Sequence, residues 1–400
     1  MTTYQELGIR PIINASGSVT RLGGARMPPA VLAAYQAAAQ ETVPIEQLQA
    51  VASQQIAAIT GSEAGLVTAG SAAALTLGTA AILTGLDVAR MAQLPDCSGF
   101  AHEFVVSREQ RNGYDHAVRA AGARLVEVGF NEPVAGAGVR RTEAWEYLAA
   151  CGPQTAGILY VLTPDSRPSL EEVVQVAQAQ GLPVLVDAAG ELPPRQNLQG
   201  IPATGADLVT FSGGKAIRGP QATGILCGRK DLVAAATLQM LDMDDHWDLW
   251  DPPAPWLEKT SLAGLPRHGL GRSMKVAKEE VMALLTALEL FSQGAYDSQL
   301  SEYTHWLDEI SDQLRDCSVT CQLIDIEDGQ TPCRLEIKLD TSRAERSAMQ
   351  VCRALRAGDP AVYVGHGRLE ENILVVNPFC LVADQVAPLG RRLVEEIGSQ

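Results

Sequence analysis

One lysine, Lys215, stands in a setting that suits covalent chemistry with a carbonyl compound. It follows Ser212 and two glycines and lies between two apolar runs of strand length, LVTF and GILC, within residues 206–228. A lysine on a glycine-flanked turn, with no carboxylate near it in sequence, is suited to lose its proton and attack a carbonyl carbon. Taken alone, the stretch fits a solvated lysine in a hairpin turn equally well.

A carboxylate stands upstream at a second favourable position. The run PVLVD predicts a buried strand that ends at Asp187, 28 residues before Lys215 (215 − 187 = 28). In open α/β folds, the carboxyl ends of the strands are where ligands bind. A carboxylate that holds a pyridinium nitrogen and a lysine that forms a Schiff base are the two protein groups that pyridoxal phosphate chemistry needs. As a pair they are a weak signal, and the chemistry also requires a phosphate site.

Such a site is predicted within residues 61–85. The segment VTAGSAAALTLGTAAIL passes from a short strand into an apolar helix, so Ser71 and the amides after it lie at a helix N-terminus. Free N–H groups and the positive end of the helix dipole favour a phosphate there. An ordinary N-cap serine on a buried helix is the alternative, and it is the better one for this segment alone.

The three segments together resemble the selenocysteine synthase-like branch of fold-type I pyridoxal phosphate enzymes. This branch includes the L-seryl-tRNA(Sec) selenium transferases and the D-glucosaminate-6-phosphate ammonia-lyases. The resemblance covers most of the chain and includes NASGSVTRLGG near the start and GRSMKVAKEE from residue 271, with FSGGKAIRGPQATGIL its most specific part. It implies pyridoxal 5′-phosphate as cofactor, Lys215 as its Schiff-base (internal aldimine) lysine and Asp187 as the partner of its pyridine nitrogen. The other implied contacts surround the phosphate: Gly70, Ser71, Ala72 and Ser212.

The resemblance also implies a residue that covers one face of the cofactor ring. Gln110, followed by RNGYDHA, stands where the related enzymes carry a histidine. An amide can lie over the ring, but it cannot give or take a proton as imidazole does. Gln110 is therefore predicted to contact the cofactor, while acid–base work at that face falls to Tyr114 or His116, or the chemistry is altered.

Further contacts are expected from the start and the end of the chain. Asn14 and Ser16 are candidate substrate contacts, because the N-terminal segment lies near the cofactor in the related enzymes. Arg272, with Lys275, is a candidate for a phosphate contact across a dimer interface. Either of two arginines is expected to bind a substrate carboxylate, since a planar guanidinium does so bidentately; Arg356 is preferred to Arg368. In the loop LTPDSRP, Ser166 and Arg167 could also reach a ligand.

The order of strands and helices predicts the fold class. Apolar strands alternate with helical patterns from residue 61 to about residue 245, which indicates an α/β fold with a mostly parallel sheet. With the resemblance, we predict a fold-type I, aspartate aminotransferase-like architecture with a smaller α+β domain. The predicted bounds are 1–60 for an N-terminal segment near the cofactor and a partner subunit, 61–270 for the large cofactor-binding domain, and 271–400 for a linking helix and the small domain.

The composition of the chain limits the kinds of molecule that we expect it to bind. The net charge of −16 and the absence of clustered Lys and Arg argue against a nucleic-acid-binding surface. Eight scattered cysteines without CxxC pairs are typical of reduced thiols in a cytoplasmic protein, and no His or Cys pair completes a metal site. No apolar run reaches the roughly 20 residues of a membrane span, and no signal peptide is evident. We expect a soluble enzyme without a metal, active on a small molecule, and at least a homodimer as in the related enzymes.

The reaction follows from what the predicted residues can do. Once the substrate amine displaces Lys215, the free lysine can remove the Cα proton. Elimination needs only this base and an exit for the leaving group, so a lyase or ammonia-lyase acting on a small amino acid or amino sugar acid is predicted. A racemase, a selenium-transferase-like enzyme and, least expected, a non-enzymatic partner protein are the alternatives.

Overall fold

The computed structural model describes residues 3–130, 140–254, 256–326, 328–340, 342 and 346–398. These residues form two compact units. The larger unit is Met27–Gln293, and the smaller one combines Met1–Arg26 with Gly294–Gln400. No helix among the described residues has both the length and the apolar character needed to cross a bilayer.

The secondary structure alternates as the sequence predicts. The strands are β1 (Ile13–Ala15), β2 (Ala64–Thr68), β3 (Glu103–Ser107), β4 (Arg124–Val128), β5 (Thr155–Val161), β6 (Val184–Asp187), β7 (Leu208–Ser212), β8 (Gly224–Gly228), β9 (Val319–Ile324), β10 (Arg334–Leu339), β11 (Val362–Val364) and β12 (Ile373–Val376). The helices are α1 (Pro29–Ala39), α2 (Ile45–Thr60), α3 (Ser71–Thr84), α4 (Val88–Gln93), α5 (Asp115–Ala120), α6 (Ala144–Ala150), α7 (Leu170–Ala179), α8 (Asn197–Ala203), α9 (Lys230–Met240), α10 (Lys278–Ser292), α11 (Gln299–Gln313), α12 (Ala348–Ala357) and α13 (Ala383–Ile397).

A seven-stranded sheet forms the centre of the larger unit. Its strands are hydrogen-bonded in the order β2-β8-β7-β6-β5-β3-β4. The run from β7 to β4 is parallel, and β8 is antiparallel to both of its neighbours. The central strands β6 and β7 are buried except at Ser212, the last residue of β7, as expected where helices cover both faces of a parallel sheet. The predicted α/β class with a mostly parallel sheet is confirmed.

Helix α3 packs on the middle of this sheet. Almost all of its residues are buried, and most of them are Ala, Gly or Thr. A Cβ atom at Gly78 would lie 3.0–3.4 Å from the side chains of Leu185, Leu208 and Leu226, which belong to three adjacent strands. Small residues therefore let the helix lie close to the sheet, and this fixes where its N-terminus meets the strand ends.

The smaller unit is an α+β structure with its own core. It contains the antiparallel sheet β12-β10-β9 and the parallel pair β1-β11. Leucine and isoleucine side chains of β10, such as Leu335 and Ile337, pack with helix residues that include Leu307, Val351 and Leu389. The pairing of Ile13 with Val362 explains why the start of the chain belongs to this unit.

The bounds of the two units differ from the predicted domain bounds. Residues 27–60 belong to the larger unit, because α1 and α2 pack against α10. Helix α10 is therefore part of the larger unit as well, whereas the predicted bounds grouped it, as a linking helix, with the small domain. This packing joins residues more than 200 positions apart and has no local sequence signal.

Candidate active site

Several predicted site residues meet at one edge of the large sheet. Strands β2, β3, β5, β6 and β7 all end at this edge, and the antiparallel strand β8 begins there. We call it the carboxyl edge. Because parallel strands bring their C-terminal residues to the same side of a sheet, segments far apart in sequence become neighbours here.

Lys215 lies in the turn that follows β7 at this edge. The turn is held by bonds from the Gly213 N–H to the Thr223 carbonyl (2.9 Å) and from the Arg218 N–H to the Lys215 carbonyl (3.0 Å). A Cβ at Gly213 would come within 2.3 Å of the Thr223 Oγ1, so glycine is needed for this close approach. Arg218 has a left-handed backbone (φ 62°), which is uncommon outside glycine and typical of functional sites.

The amine of Lys215 is available for chemistry. Its side chain is half-buried, and no hydrogen bond or ion pair to its Nζ is found among the described residues. The strained, tightly packed turn therefore presents an amine whose position is fixed by the backbone and not by a side-chain partner.

Asp187 is the last residue of β6 and is buried to 7% exposure. Its Oδ1 accepts a hydrogen bond from the Ala189 N–H (3.1 Å). Burial raises the pKa of the Asp187 carboxyl above its ordinary value, while this hydrogen bond and the positive charge of Lys215 oppose the rise. A buried carboxylate with this one hydrogen bond in the described part of the chain suits a cationic donor as an additional partner.

Glu191 is a third ionisable group at this edge, and the sequence analysis missed it. It follows Asp187 by four residues in the loop after β6 and is half-buried. Burial raises the pKa of Glu191, the negative charge of Asp187 raises it further, and the charge of Lys215 lowers it. The charges of Asp187 and Lys215 therefore act on the Glu191 carboxyl in opposite directions. The only sequence signal was the presence of a glutamate within LPVLVDAAGELPP.

The start of α3 provides the expected anion-binding position. Its N-cap residue is Gly70, which has no side chain to cap the first-turn N–H groups of Ser71 and Ala72. Gly224, the first residue of β8, lies against it: a Cβ there would be 2.5 Å from the Ser71 nitrogen. Ser212 pairs in register with Gly224, so it lies beside the same helix terminus.

This close approach predicts the effect of one substitution. Gly224→Ala should push the helix terminus away from the strand, which destabilises the fold by about 1–3 kcal/mol and weakens phosphate binding. Thermal unfolding and cofactor titration measure the two effects. The matched control is Gly200→Ala in α8, where a Cβ meets nothing within 4 Å. Equal Tm values and equal cofactor affinities in the two variants would contradict the proposed role of the helix terminus.

Gln110 ends a short 3-10 turn, Arg108–Gln110, directly after β3. It is buried to 7% exposure, and its Oε1 accepts a hydrogen bond from the Val161 N–H (3.1 Å). Its buried Nε2 has no hydrogen-bond partner in the described residues. Tyr114 is 60% exposed, and the His116 ring lies 3.1 Å from an Arg119 nitrogen at the surface. The structure thus brings Gln110 to the carboxyl edge but leaves the other two at the surface of the unit.

Arg272 lies elsewhere in the larger unit. It belongs to a 3-10 turn, Leu270–Met274, and donates to the Asp242 Oδ2 (2.7 Å). Both line a cleft of about 710 Å³ that also contains Lys275 and the start of α10. Within one chain Arg272 is therefore paired with a carboxylate, and its predicted contact with a cofactor phosphate across a dimer interface stays a prediction.

Asp242 also lies near Asp244 and His268, with potential ligand atoms within 4.8 Å of one another, but all three residues are exposed.

Asn14 and Ser16 lie in the smaller unit. The Asn14 side chain is used locally, since its Nδ2 donates to the Gly17 carbonyl (3.0 Å) and its Oδ1 accepts from the Ser16 N–H (3.0 Å). The Ser16 hydroxyl is buried and has no partner among the described residues. Ser16 is thus the better placed of the two to contact a ligand.

The two candidate arginines of the smaller unit differ in their partners. Arg368 forms ion pairs with Glu336 and Glu371, both at 2.5 Å. Arg356 lies over the Tyr363 ring (5.2 Å to the centroid) and has its Nη2 nitrogen 3.3 Å from the His366 Nδ1, while its Nε is buried without a partner in the described part of the chain. This difference favours Arg356 as the carboxylate-binding residue.

Comparison with known proteins places the chain in a family. The L-seryl-tRNA selenium transferase (SelA) family model matches residues 12–243, more than half of the chain. The chain belongs to this family. It is 30% identical to D-glucosaminate-6-phosphate ammonia lyase of Salmonella typhimurium over 98% of this chain and 97% of the relative. It is 31% identical to 5′-C-glycyluridine monooxygenase-decarboxylase of a Streptomyces species over 98% and 91%.

The solved structures agree with the family. A D-glucosaminate-6-phosphate ammonia-lyase structure superposes with a TM-score of 0.80 at 29% identity, covering 99% of each chain. The fold is that of the fold-type I pyridoxal phosphate-dependent enzymes. The chain is accordingly an enzyme of this class, and pyridoxal 5′-phosphate is its cofactor.

The carboxyl edge fits this cofactor. Within the described residues, it offers an amine without a partner, a buried carboxylate that lacks a cationic partner at hydrogen-bond distance, and a helix terminus without a capping side chain. These three features are what an aldehyde, a pyridinium nitrogen and a phosphate require. Their chemistry is complementary to the whole cofactor rather than to any single part of it.

Proposed function

We propose that this SelA-family enzyme is a lyase that releases ammonia from an amino sugar acid or another small amino acid. The observation that carries the proposal is that Lys215 and Glu191 both lie at the carboxyl edge with Asp187, in the loops that follow the adjacent strands β7 and β6, where they can supply a base and an acid. The similarity to D-glucosaminate-6-phosphate ammonia lyase over nearly the full chain supports it.

Each residue of the carboxyl edge has a proposed role. Lys215 holds the cofactor covalently, Asp187 holds its pyridine nitrogen, and Gln110 lies against its ring. The phosphate contacts are Gly70, Ser71, Ala72 and Ser212. When bound, the cofactor supplies an electron sink for the Cα carbon of the substrate. The freed Lys215 Nζ lies at the same edge and takes the Cα proton.

Glu191 is proposed to complete the elimination. A β-hydroxyl leaves as water only if it receives a proton, and a carboxyl with a raised pKa is suited to give one. The Cα–H and Cβ–O bonds break and a Cα–Cβ double bond forms. Hydrolysis then releases ammonia and leaves a 2-keto acid.

Substitution of Glu191 by glutamine separates catalysis from stability. Glu191→Gln should lower kcat about 10²-fold or more, since loss of a positioned proton donor has effects of this size. The substrate KM should change little. Steady-state release of keto acid measures both, and an unchanged kcat would exclude Glu191 as the acid.

The same variant should not weaken the fold. Because the folded-state pKa of Glu191 is raised, its favourable contribution is present below the unfolded pKa of about 4.3 and is lost as the pH rises through the folded value. At pH 7 the burial of Glu191 therefore opposes folding, and Glu191→Gln relieves this. The Tm of the variant should equal or exceed that of the wild type at pH 7, with no gain near pH 4.

Arg356 is proposed to bind the substrate carboxylate, with Ser16 and Asn14 as further substrate contacts. The buried Arg356 Nε and the buried Ser16 hydroxyl both lack partners in the described residues, which supports a polar ligand for each. The Arg356 guanidinium lies over the Tyr363 ring, and this cation–π contact helps to hold it in place for a carboxylate.

A homodimer, or a multiple of it, is proposed as the working assembly. Three large apolar residues near the start of the chain, Tyr4, Leu7 and Ile9, are each more than half exposed. A second chain would remove this surface from water. Sedimentation at micromolar concentration should give at least a dimer, whereas a fully active monomer would contradict the proposal.

A substrate panel tests the reaction. The panel contains 2-amino-2-deoxy sugar acids with and without a terminal phosphate, serine and threonine, and the readouts are keto acid, ammonia and deuterium exchange at Cα. Equimolar keto acid and ammonia from a sugar acid would support the lyase. Exchange with inversion and without keto acid would identify a racemase. Turnover only with seryl-tRNA and a selenium donor would identify a transferase.

A further inference from the structure

A second cleft opens at the carboxyl edge beside Gln110. It has a volume of about 420 Å³ and lies entirely within the larger unit. We call it the Gln110 cleft. The lining residues that matter here are Gln110, Asn112, Val161, Thr163, Asp165 and Arg167.

The Gln110 cleft adjoins the position of Asp187. Val161, at the end of β5, pairs in register with Asp187 on the neighbouring strand β6. Adjacent strands lie about 4.8 Å apart, so the floor of the cleft begins one strand spacing from the Asp187 backbone. The Leu162 N–H donates a hydrogen bond to the Asp187 carbonyl (2.9 Å), which holds the ends of β5 and β6 next to each other.

Hydrogen bonds hold the two segments that form the walls of the cleft. The Ser166 hydroxyl accepts from the Thr163 N–H and donates to the Val161 carbonyl, both at 2.9 Å, which closes the loop after β5. On the other wall, the Asn112 Oδ1 accepts from the Tyr114 N–H (2.7 Å). Side chains held in this way keep their donors and acceptors in place before a ligand binds.

The charges in and around the cleft are balanced. Arg111 is paired with Asp115 and Glu127, and Arg141 with Glu109. The remaining pair of charged groups in the lining consists of the Asp165 carboxylate and the Arg167 guanidinium, neither of which forms an ion pair within the described residues. An anionic ligand group in the cleft would be attracted by the Arg167 guanidinium and repelled by the Asp165 carboxylate.

The free hydrogen-bonding groups of the cleft include both donors and acceptors. Gln110 offers a buried N–H donor that has no partner in the described residues. Arg167 offers the donors other than its Nη1, which is bonded to the Ser166 carbonyl, and Asp165 offers an acceptor. The orientation of the Gln110 amide is settled, because its oxygen already accepts from the Val161 N–H. A hydroxyl group donates and accepts at once, so a chain of hydroxyls matches this lining better than a carboxylate, a phosphate or an apolar group.

We propose that the Gln110 cleft is the subsite for the hydroxylated carbon chain of the substrate. This inference rests on the proposed function and narrows its substrate class to polyhydroxy amino acids. A short substrate such as serine would leave the Gln110 N–H buried without a partner, which costs binding free energy. The cleft therefore selects for chain length as well as for hydroxyl groups.

Binding of two unreactive acids tests the subsite without turnover. The probes are D-gluconate, with a six-carbon hydroxylated chain, and D-glycerate, with three carbons; both lack the amine. Titration calorimetry on the holoenzyme should give a Kd for gluconate at least about tenfold lower than that for glycerate. Arg167→Met, which keeps the side-chain stem at the exposed rim, and Gln110→Glu, which keeps the acceptor for Val161, should each reduce this ratio severalfold.

Arg108→Ala is the matched control, since Arg108 pairs with Glu127 and does not line the cleft. It should keep the wild-type ratio. Equal affinities for the two acids in the wild type, or a ratio unchanged in both cleft variants, would overturn the subsite. The lyase assay could fail while the ratio of the two Kd values is retained and still depends on the cleft residues. This result would reject the proposed reaction but not the subsite, so the two failures are distinguishable.

Discussion

Lys215→Ala should lower kcat by about 10³-fold or more, because the loss of a positioned proton-transfer group has effects of 10²–10⁴ and covalent attachment of the cofactor is lost as well. The substitution should leave the fold intact. The Lys215 Nζ has no partner among the described residues, and the turn around it is held by backbone hydrogen bonds. Keto-acid release measures the activity, and thermal unfolding measures the fold.

Lys230→Ala provides the matched control for this variant. Lys230 is an exposed residue at the start of α9, and its backbone N–H, which the substitution keeps, donates to Glu63. Full activity of Lys230→Ala beside an inactive, folded Lys215→Ala would assign the loss to the Lys215 amine. Near-normal kcat in Lys215→Ala would contradict the proposed base.

Asp187→Asn should weaken cofactor binding about 10- to 100-fold, since a hydrogen bond to a charged group contributes about 1.5–3 kcal/mol. The amide keeps an acceptor for the Ala189 N–H but loses the charge that holds a pyridinium. We expect kcat to fall as well, because the electron sink weakens. Cofactor titration followed by fluorescence gives the affinity, and Asp231→Asn, at an exposed residue of α9, is the control.

Although Asp187→Asn should weaken cofactor binding, it should not lower the stability of the cofactor-free protein. The raised pKa of Asp187 means that its favourable contribution is present below the unfolded pKa of about 3.9 and is lost as the pH rises through the folded value. At pH 7 the cofactor-free Asp187→Asn protein should therefore have a Tm equal to or above that of the wild type. Its Tm should rise less on cofactor addition. A lower Tm without cofactor and an unchanged rise would contradict this account.

The sequence was sufficient to predict that the segments carrying Lys215, Asp187 and Ser71 meet at one edge of the sheet, while the roles of these residues toward the cofactor stay predictions. Lys215 and Ser71 follow strands with a clear apolar pattern, Asp187 is the last residue of another, and the parallel order of the strands brings such ends to one edge. Local signals are strong here because a glycine-flanked turn, a strand end and a helix start are all defined by a few adjacent residues.

Other parts of the site depend on contacts that no local pattern reports. The position of Glu191 follows from the path of the loop after β6, which has no periodicity. The partner of Arg272 is Asp242, 30 residues earlier in the chain. The packing of α1 on α10 sets the bounds of the larger unit in the same way. Such features depend on tertiary structure, so a single sequence does not specify them.

The assignment of Lys215 can be tested directly by reduction and peptide mapping. Borohydride treatment of the holoenzyme should fix one cofactor per chain, and mass spectrometry should place it on the peptide that contains FSGGKAIR. Prior addition of a substrate amine should reduce this labelling, since the amine displaces the lysine. Labelling of a different lysine, or no labelling after cofactor addition, would contradict the account.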